Sequence, residues 1–452
     1  MRPIAVAFLA VVIVAGAFTA FYGVTSRSAP PERAGTDRPQ VVLFVGDGMG
    51  LATVTAARIE KGTREGLPHP SAARLHIDEA PAAALVTTHS EDGLVTDSAA
   101  SATAFLTGSK VPNGVVSWRR ASDGAVDSLE TVLELAIRQG LATGVVTTTR
   151  LTHATPACTF AHVPDRGWET EIAAALVPEG GNPRLGRGID VILGGGFREF
   201  LPSGPTRPGT RTDGRDILAE LERSGYQVVR TRSELAQAAA ANSEKLFGAF
   251  APSHMTYEID RESTSPNEPS LLEMVQSAVG QLRNKPNGFF LLVEGGRIDH
   301  AHHDTNGRRA IEEMLEFDEA IGWTVDALGP DALVLVTADH DHSMVLAGYA
   351  PAESGVFSQA GTDVNGVPYS TILYANGPGG EVPTELDESV LRNPDFRERA
   401  GVPLRSETHG GTDVPLYLFG PRAKERTSRA TIDNTEIYGI LRDEVLGGSP
   451  KS

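Results

Sequence analysis

The chain has 452 residues, of which 40% are hydrophobic and 22% charged, so it is long enough for one large or two smaller globular domains. The net charge of −18 argues against nucleic acid as a partner, because such a surface needs clustered Lys and Arg. It does not exclude a phosphate substrate, because bound cations can invert the local potential of an acidic protein. The single cysteine, Cys158, excludes an intramolecular disulfide and leaves the compartment open.

The first 40 residues predict export. Residues 4–24 are almost entirely apolar and have an arginine on either side, so we interpret residues 1–25 as a signal peptide or a signal anchor. The run exceeds the ~7–15 residues of a signal-peptide core and approaches the ~20 that span a bilayer. Residues 26–40 form a Pro-, Ser- and Arg-rich linker. We expect a periplasmic or extracellular protein, and both cleavage and membrane anchoring through residues 4–24 stay open.

From residue 41 onward, short apolar segments alternate with amphipathic helical patterns. This alternation predicts one α/β domain over residues 41–445, with a large, mostly parallel central sheet and helices on both faces. Residues 346–404 are rich in Gly and Pro and are interpreted as a small irregular insertion at the edge of the sheet. The predicted strands are 41–45, 142–148, 190–193, 288–293 and 332–337, and the predicted helices are 129–139, 271–282 and 308–328.

The first two polar motifs are ambiguous when taken alone. Asp47 follows the strand 41–45 within Gly-Asp-Gly-Met-Gly, and an Asp beside Gly is usually a turn residue. Ser98 lies in Thr-Asp-Ser-Ala-Ala at the start of an Ala-rich helical stretch, so Asp97 or Ser98 could simply be the N-cap. The functional interpretation uses the same geometry, because a helix N-terminus provides positive potential and free N–H groups for a phosphorylated serine.

The segment 294–303, Glu-Gly-Gly-Arg-Ile-Asp-His-Ala-His-His, is far more specific. If it turns into a helix, Asp299 and His303 lie one turn apart on one face and can ligate one ion. Glu294, at the end of a strand, can reach another ion. His300 and His302 cannot share that face, so we expect them to lie behind the metal ligands or to face solvent.

Further carboxylate and imidazole groups follow. Asp339 and His340 end the strand 332–337, His409 precedes a strand-like segment at 415–419, and His342 is interpreted as a bystander. Six of the 12 histidines fall between positions 300 and 409, which favours a multi-metal site over scattered core histidines. Such ligands favour Zn²⁺ where His is abundant and Mg²⁺ at an oxygen-only position, and two ions about 4 Å apart suit phosphoryl displacement. Arg166 is either an ordinary surface arginine or a bidentate phosphate clamp.

Together, these motifs resemble those of the alkaline phosphatases over residues 41–419. Five motifs occur in the order of that family: 46–50, 96–100, 294–303, 337–340 and 408–411. The resemblance implies metal-dependent hydrolysis of small phosphomonoesters through a phosphoserine at Ser98, with broad tolerance of the alcohol. It also implies a phosphate clamp at Arg166, and a homodimer is one assembly that it allows.

The same resemblance implies two Zn²⁺ and one Mg²⁺ per active site. Its ligands are Asp299, His303 and His409 for one zinc, Asp47, Asp339 and His340 for the other, and Asp47, Thr155 and Glu294 for Mg²⁺. His153 and His300 stand where many bacterial members have aspartate and lysine, so both are expected beside the ligands, and the third metal stays open.

Two rival functions are weighed against this one. A phosphodiesterase or sulfatase of the same wider superfamily is the nearest, but a sulfatase needs x-Pro-x-Arg after its nucleophile and Ser98 is followed by Ala-Ala-Ser-Ala. A non-catalytic, membrane-tethered phosphate- or metal-binding protein is the other, and it would have no use for Ser98.

Overall fold

A computed structural model describes residues 38–120, 126–205, 207–241, 243–380, 385–427 and 429–447. These residues belong to one unit, Thr36–Ser452. The predicted signal segment 1–25 and nearly all of the predicted linker 26–40 lie outside the described residues. Among the described helices, none is both long enough and apolar enough to cross a membrane.

The described part of the chain contains both α-helices and β-strands throughout its length. In chain order the strands are β1 (Gln40–Gly46), β2 (Ala82–Thr87), β3 (Trp118–Arg120), β4 (Val126–Ser128), β5 (Ala142–Arg150), β6 (Val191–Gly195), β7 (Ser203–Gly204), β8 (Arg207–Pro208), β9 (Gln227–Val229), β10 (Leu246–Ala249), β11 (Phe289–Gly295), β12 (Leu333–Ala338), β13 (Asp341–His342), β14 (Met344–Leu346), β15 (Gln359–Thr362), β16 (Pro368–Ser370), β17 (Ile372–Gly377), β18 (Ala400–Pro403), β19 (His409–Gly410), β20 (Val414–Phe419) and β21 (Thr431–Asp433). The helices are α1 (Leu51–Arg64), α2 (Ser98–Thr107), α3 (Val132–Arg138), α4 (Ala154–Ala157), α5 (Glu169–Ala175), α6 (Ile217–Arg223), α7 (Arg232–Ala241), α8 (Glu258–Thr264), α9 (Leu271–Leu282), α10 (Arg297–His303), α11 (Gly307–Leu328), α12 (Glu388–Leu391), α13 (Ala423–Arg426) and α14 (Asn434–Val445).

A ten-stranded sheet organises the fold, in the order β21-β2-β20-β12-β1-β11-β5-β6-β10-β9. Its pairs are parallel except those that β20 makes with β12 and β2. The central strands are continuous apolar runs, and β1 is buried along its whole length, as expected where helices cover both faces. This confirms the predicted α/β class with its large, mostly parallel sheet.

The register of the three central strands brings their carboxyl ends level with one another. Gly46, the last residue of β1, pairs with Gly295 of β11 and with Ala338 of β12. Side chains that follow these strands therefore meet at one edge of the sheet. The five predicted strands all occur, shifted at their ends by one or two residues, and the predicted helix 271–282 coincides with α9.

The stretch 346–404, predicted as an irregular insertion, holds several short elements. β14 pairs antiparallel with β17, β17 pairs parallel with β18, and β15 and β16 form a hairpin. The stretch packs on the main unit through Phe357, which lies beneath the guanidinium groups of Arg308 in α11 and Arg392. Its boundaries as an insertion remain a prediction.

Candidate active site

Three buried carboxylates meet where the central strands end. Asp47 follows β1, Glu294 is the penultimate residue of β11, and Asp339 follows β12. The backbone N–H of Gly48 donates to Asp339 Oδ1 at 3.0 Å, so the turn after β1 is fastened to the end of β12. Burial, followed by the charges of Asp339, Asp299 and Glu294, raises the pKa of Asp47 well above its usual range. Such a cluster requires positive charge from another source.

One imidazole nitrogen joins Ser98 to this cluster. His340 Nε2 lies 3.4 Å from Asp47 Oδ1, 3.2 Å from Asp339 Oδ2 and 3.4 Å from Ser98 Oγ. Asp47, Asp339 and the Ser98 oxygen thus all lie within 3.4 Å of this one nitrogen.

The position of Ser98 follows from its helix. Asp97 is the N-cap of α2, with its side chain accepting from Ala100 N at 3.0 Å, and Ser98 is the first helical residue. Of the two N-cap alternatives, Asp97 is therefore the one observed. Ser101 Oγ donates to the carbonyl of Asp339 at 2.7 Å, which holds the helix N-terminus over the end of β12. The hydroxyl consequently lies in the positive potential of the helix end.

A second cluster surrounds Asp299, the third residue of α10. Asp299 Oδ1 lies 3.3 Å from His303 Nε2 and 3.4 Å from His409 Nε2. The other ring nitrogens contact backbone carbonyls, His303 Nδ1 that of Glu407 at 2.6 Å and His409 Nδ1 that of Thr96 at 2.9 Å. Because a nitrogen beside a carbonyl carries the proton, both Nε2 atoms keep a free lone pair, which is the tautomer that binds metals.

His342, interpreted from the sequence as a bystander, lies inside this cluster. Its Nε2 is 2.9 Å from Asp299 Oδ1 and its Nδ1 is 2.6 Å from Glu407 Oε2. Burial opposes protonation, but the hydrogen bonds to Asp299 and Glu407 raise the pKa of His342 to about 10. Burial likewise opposes ionisation of Asp299, but the contacts with His342 and His409 hold its pKa well below the usual range. Through these two contacts His342 links Asp299 to Glu407 and orients the Asp299 carboxylate.

A third group adjoins Asp47 on its other side. Asp47, His153 and Glu294 each offer a ligand atom within 4.8 Å of the others. Glu294 Oε2 accepts from the hydroxyls of Thr147 and Thr149, whereas its Oε1 has no partner. Burial raises the pKa of Glu294 to about 7. The buried hydroxyl of Thr155, in α4, also lacks a hydrogen-bond partner.

The guanidinium of Arg166 lies at the mouth of the site and is 28% exposed. Its Nη1 donates to Asp97 Oδ2 at 2.8 Å, and its Nη2 lies 3.1 Å from His153 Nε2. Asp97 therefore caps the helix of Ser98 and orients Arg166 at the same time. The ordinary surface interpretation of Arg166 does not account for these two contacts.

The two other histidines of the segment 294–303, His302 and His300, have different surroundings. His302 is fully buried, between Thr53 Oγ1 at 2.9 Å and the Tyr374 hydroxyl at 2.8 Å, so the solvent-facing alternative is wrong for it. The ring of His300 lies 5.5 Å from that of His153 and 4.1 Å from that of His254. His254 was missed by the sequence analysis, because the strand before it, β10, was not predicted.

The donor set fits bound cations. Within the described part of the chain, six buried polar atoms of the site have no hydrogen-bond partner, and an unpaired buried polar group costs roughly 1–3 kcal/mol. They are both carboxylate oxygens of Asp47, Asp339 Oδ2, Glu294 Oε1, Thr155 Oγ1 and His153 Nδ1. Carboxylate, hydroxyl and imidazole ligands of this kind match those of Zn²⁺ and Mg²⁺.

Comparison with known proteins identifies the family. The family model for alkaline phosphatase matches residues 39–444. The chain belongs to the alkaline phosphatase family. An alkaline phosphatase from Gadus morhua is 38% identical over 420 residues, covering 85% of this chain and 87% of the relative. The human tissue-nonspecific isozyme is 38% identical over 418 residues, covering 85% of this chain and 79% of the isozyme.

Structures of alkaline phosphatases share the fold. The Thermus thermophilus enzyme has a TM-score of 0.69 at 28% identity, covering 93% of this chain and 92% of its own. A mutant of the TAB5 alkaline phosphatase with Mg bound in its M3 site has a TM-score of 0.66 at 25% identity, covering 90% of this chain and 98% of its own. A relative from Bombyx mori, named membrane-bound alkaline phosphatase, is 36% identical and covers 87% of this chain and 78% of its own. As a member of this family, the chain is a phosphomonoesterase, and its hydrolysis of phosphomonoesters is metal-dependent.

Proposed function

We propose that this enzyme hydrolyses phosphomonoesters through a covalent phosphoserine at Ser98. The observation that carries the proposal is the contact of one nitrogen, His340 Nε2, with Ser98 Oγ, Asp47 Oδ1 and Asp339 Oδ2, two carboxylate oxygens that have no hydrogen-bond partner among the described residues. A serine that served only as a helix residue would not need this surrounding.

The cycle consists of two displacements at phosphorus. The Ser98 hydroxyl gives its proton to water, and its oxygen forms a bond to phosphorus while the ester bond to the alcohol breaks. The alcohol oxygen leaves with the bonding electrons and takes one proton from water, so that water carries the Ser98 proton to the alcohol. Water then attacks the phosphoserine, which releases phosphate and restores the Ser98 hydroxyl. The two guanidinium nitrogens of Arg166 hold equatorial phosphoryl oxygens during both steps, and Asp97 keeps that guanidinium in place.

Three cation positions support this chemistry, and we propose two Zn²⁺ and one Mg²⁺ per active site. Bound cations supply positive charge that lowers the pKa of a hydroxyl or of water and offsets the charge on the leaving alcohol. His153 offers a nitrogen beside the oxygen ligands of the third position, so metal analysis reports which ion this position prefers. The ligands we assign are Asp299, His303 and His409 to one zinc, Asp47, Asp339 and His340 to the other, and Asp47, Thr155 and Glu294 to Mg²⁺.

Ser98, Arg166 and the proposed metal ligands all act on the phosphoryl group and not on the alcohol, so we propose that the enzyme tolerates a broad range of alcohols. Export through residues 1–25, anchoring through residues 4–24 and a homodimer remain predictions. A diesterase would be revealed by comparing 4-nitrophenyl phosphate with its bis-ester, and we expect the monoester to be strongly preferred.

The nucleophile is tested with a matched pair of serine variants. Ser98→Ala removes the hydroxyl at the site, and Ser101→Ala removes one a turn later in the same helix. We expect Ser98→Ala to fold, to bind metal and to lose turnover of 4-nitrophenyl phosphate by a factor of roughly 10³ or more. Ser101→Ala loses one hydrogen bond to the Asp339 carbonyl but no nucleophile, so its turnover should fall by no more than about tenfold. Near wild-type turnover in folded Ser98→Ala would exclude the phosphoserine route.

A further inference from the structure

A row of cationic and imidazole side chains leads away from the phosphate clamp. We name it the basic row, and all of its members are partly exposed, unlike the buried carboxylates of the metal positions. Its members are Arg166, His153, His300, His254, Arg150 and Arg297.

The row is continuous in space. Arg166 Nη2 lies 3.1 Å from His153, and the His153 ring lies 5.4 Å from that of His254 and 5.5 Å from that of His300. His254 in turn contacts Arg150, with its Nδ1 accepting from the Arg150 backbone N–H at 3.3 Å. A negatively charged group beside the clamp would therefore meet a second set of donors within one or two side chains.

The end of strand β5 positions the far half of the row. Thr148 Oγ1 accepts from the backbone N–H of Arg297 at 3.2 Å, and the Thr148 carbonyl accepts from Met255 N, next to His254, at 3.0 Å. Arg150 is the last residue of the same strand. Arg150 and Arg297 thus lie on a strand and a helix that meet at one strand end, and the segment of His254 is hydrogen-bonded to the same strand, which favours a binding role over incidental surface charge.

Arg297 differs from the other two arginines in forming no ion pair with a carboxylate among the described residues. Arg166 pairs with Asp97, and Arg150 forms a bidentate pair with Glu169 at 2.9 Å. The guanidinium of Arg297 forms no hydrogen bond or ion pair within the described part of the chain, and its Nε is buried without a partner. It stacks instead on Tyr257, 3.7 Å from the ring centroid, which fixes its plane and leaves its N–H groups available.

Two imidazoles lie among these arginines, and their contacts differ. His254 Nδ1 accepts from the backbone N–H of Arg150, and its Nε2 contacts Arg150 Nη1, so both ring nitrogens are occupied and His254 positions Arg150. Burial, and then the neighbouring positive charges including Arg150 and Arg297, lower the pKa of His254 to about 2, in keeping with an imidazole that only accepts. His300 Nδ1 has no hydrogen-bond partner among the described residues.

We propose that Arg297, together with Arg150, which His254 holds in place, forms a second anion subsite, which binds a phosphate group carried by the alcohol part of the substrate. The inference rests on the proposed phosphoserine chemistry and narrows its substrate class: the enzyme prefers bisphosphates to simple monoesters. The subsite takes no part in bond breaking and acts by binding and orienting the substrate.

The test compares propyl phosphate with propane-1,3-diol bisphosphate, with the ethane and butane homologues to vary the spacing. Wild-type kcat/KM should be higher for a bisphosphate beyond the statistical factor of two for its two equivalent phosphates. Arg297→Gln should lower kcat/KM about tenfold for the best bisphosphate, the loss expected for one charge-assisted contact, and leave propyl phosphate within about twofold. Arg297→Lys, which keeps the charge, should restore part of the preference.

Arg230 provides a matched control. Its guanidinium also stacks on an aromatic ring, Phe197, at 3.8 Å, and its Nε also lacks a partner among the described residues, but Arg230 is not a member of the basic row. Arg230→Gln should change neither substrate. Should Arg297→Gln fold poorly, Tyr257→Leu, which removes only the ring beneath Arg297, should lower the bisphosphate preference by a smaller factor. The subsite would be overturned if Arg297→Gln and Tyr257→Leu lowered kcat/KM equally for both substrates, or if neither variant lost activity selectively on the bisphosphate. Absence of wild-type activity on propyl phosphate would instead refute the proposed function.

Discussion

Gly48 offers a sharp test of how the metal positions are built. Its φ of +71° belongs to the left-handed region, where an L-residue costs about 1–2 kcal/mol. A Cβ at this position would lie 2.3 Å from His342 Cδ2 and 2.4 Å from its Nε2, against the 3.4 Å of an ordinary contact. The ring of His342 would therefore have to move by about 1 Å.

That ring cannot move freely, because both of its nitrogens are hydrogen-bonded to buried carboxylates, Asp299 and Glu407. Losing one such charged hydrogen bond costs about 1.5–3 kcal/mol. We therefore expect Gly48→Ala to lower the free energy of unfolding by roughly 3–5 kcal/mol. A displacement of this size at Asp299 should also reduce kcat/KM for 4-nitrophenyl phosphate by about two orders of magnitude.

Gly66→Ala is the matched control, because Gly66 has a φ of +67° and an added Cβ would have nothing within 4 Å. It should show the backbone cost of about 1–2 kcal/mol and full activity. Urea denaturation measures the free energy of unfolding and steady-state kinetics measure kcat/KM. Elemental analysis measures the bound zinc, which should be lower in Gly48→Ala than in Gly66→Ala. If Gly48→Ala matched Gly66→Ala in activity and zinc content, the role assigned to the packing of His342 would be refuted.

Two further predictions concern metals and pH. EDTA should abolish turnover and lower the melting temperature, with Zn²⁺ and Mg²⁺ restoring both; undiminished activity of metal-free protein, verified by elemental analysis, would contradict the assignment. Burial raises the pKa of Glu398, whose Oε2 accepts from Ser370 Oγ, to about 8. The unfolded state releases this proton near pH 4.5 and the folded state near pH 8, so this contribution to stability is present at low pH and is lost as pH rises between those values. In denaturation at several pH values, Glu398→Gln should become progressively more stable than wild type over that range, and a difference independent of pH would exclude this account.

The sequence predicts the centre of the sheet better than its edges. The strands β1, β5, β6, β11 and β12 are buried apolar runs with a clear pattern. Half of β2 is alanine, a residue that is depleted in strands, and β9 is only three residues long, so neither segment carries a strong strand signal. The predicted helix 129–139 is shorter in the structure, because Thr131 caps α3 by accepting from Glu134 N.

The site itself was predictable where each residue directly followed a predicted strand. Asp47, Glu294 and Asp339 are of this kind, because parallel strands end at a common edge. His342 and Glu407 were not, because their contact joins the short strand β13 to the segment before β19, and these two residues are 65 positions apart and unrelated by any local period. Their spacing could have indicated that they belong to the site, because His342 lies two residues after the proposed ligand His340 and Glu407 lies two residues before the proposed ligand His409.

The most direct test of the account is to trap the intermediate. The wild-type enzyme, incubated with substrate or inorganic phosphate at low pH and quenched with acid, should yield a peptide phosphorylated at Ser98 by tandem mass spectrometry, and Ser98→Ala should yield none. Phosphate on Ser101, or its absence from Ser98 under conditions where the ester is hydrolysed, would contradict the central claim.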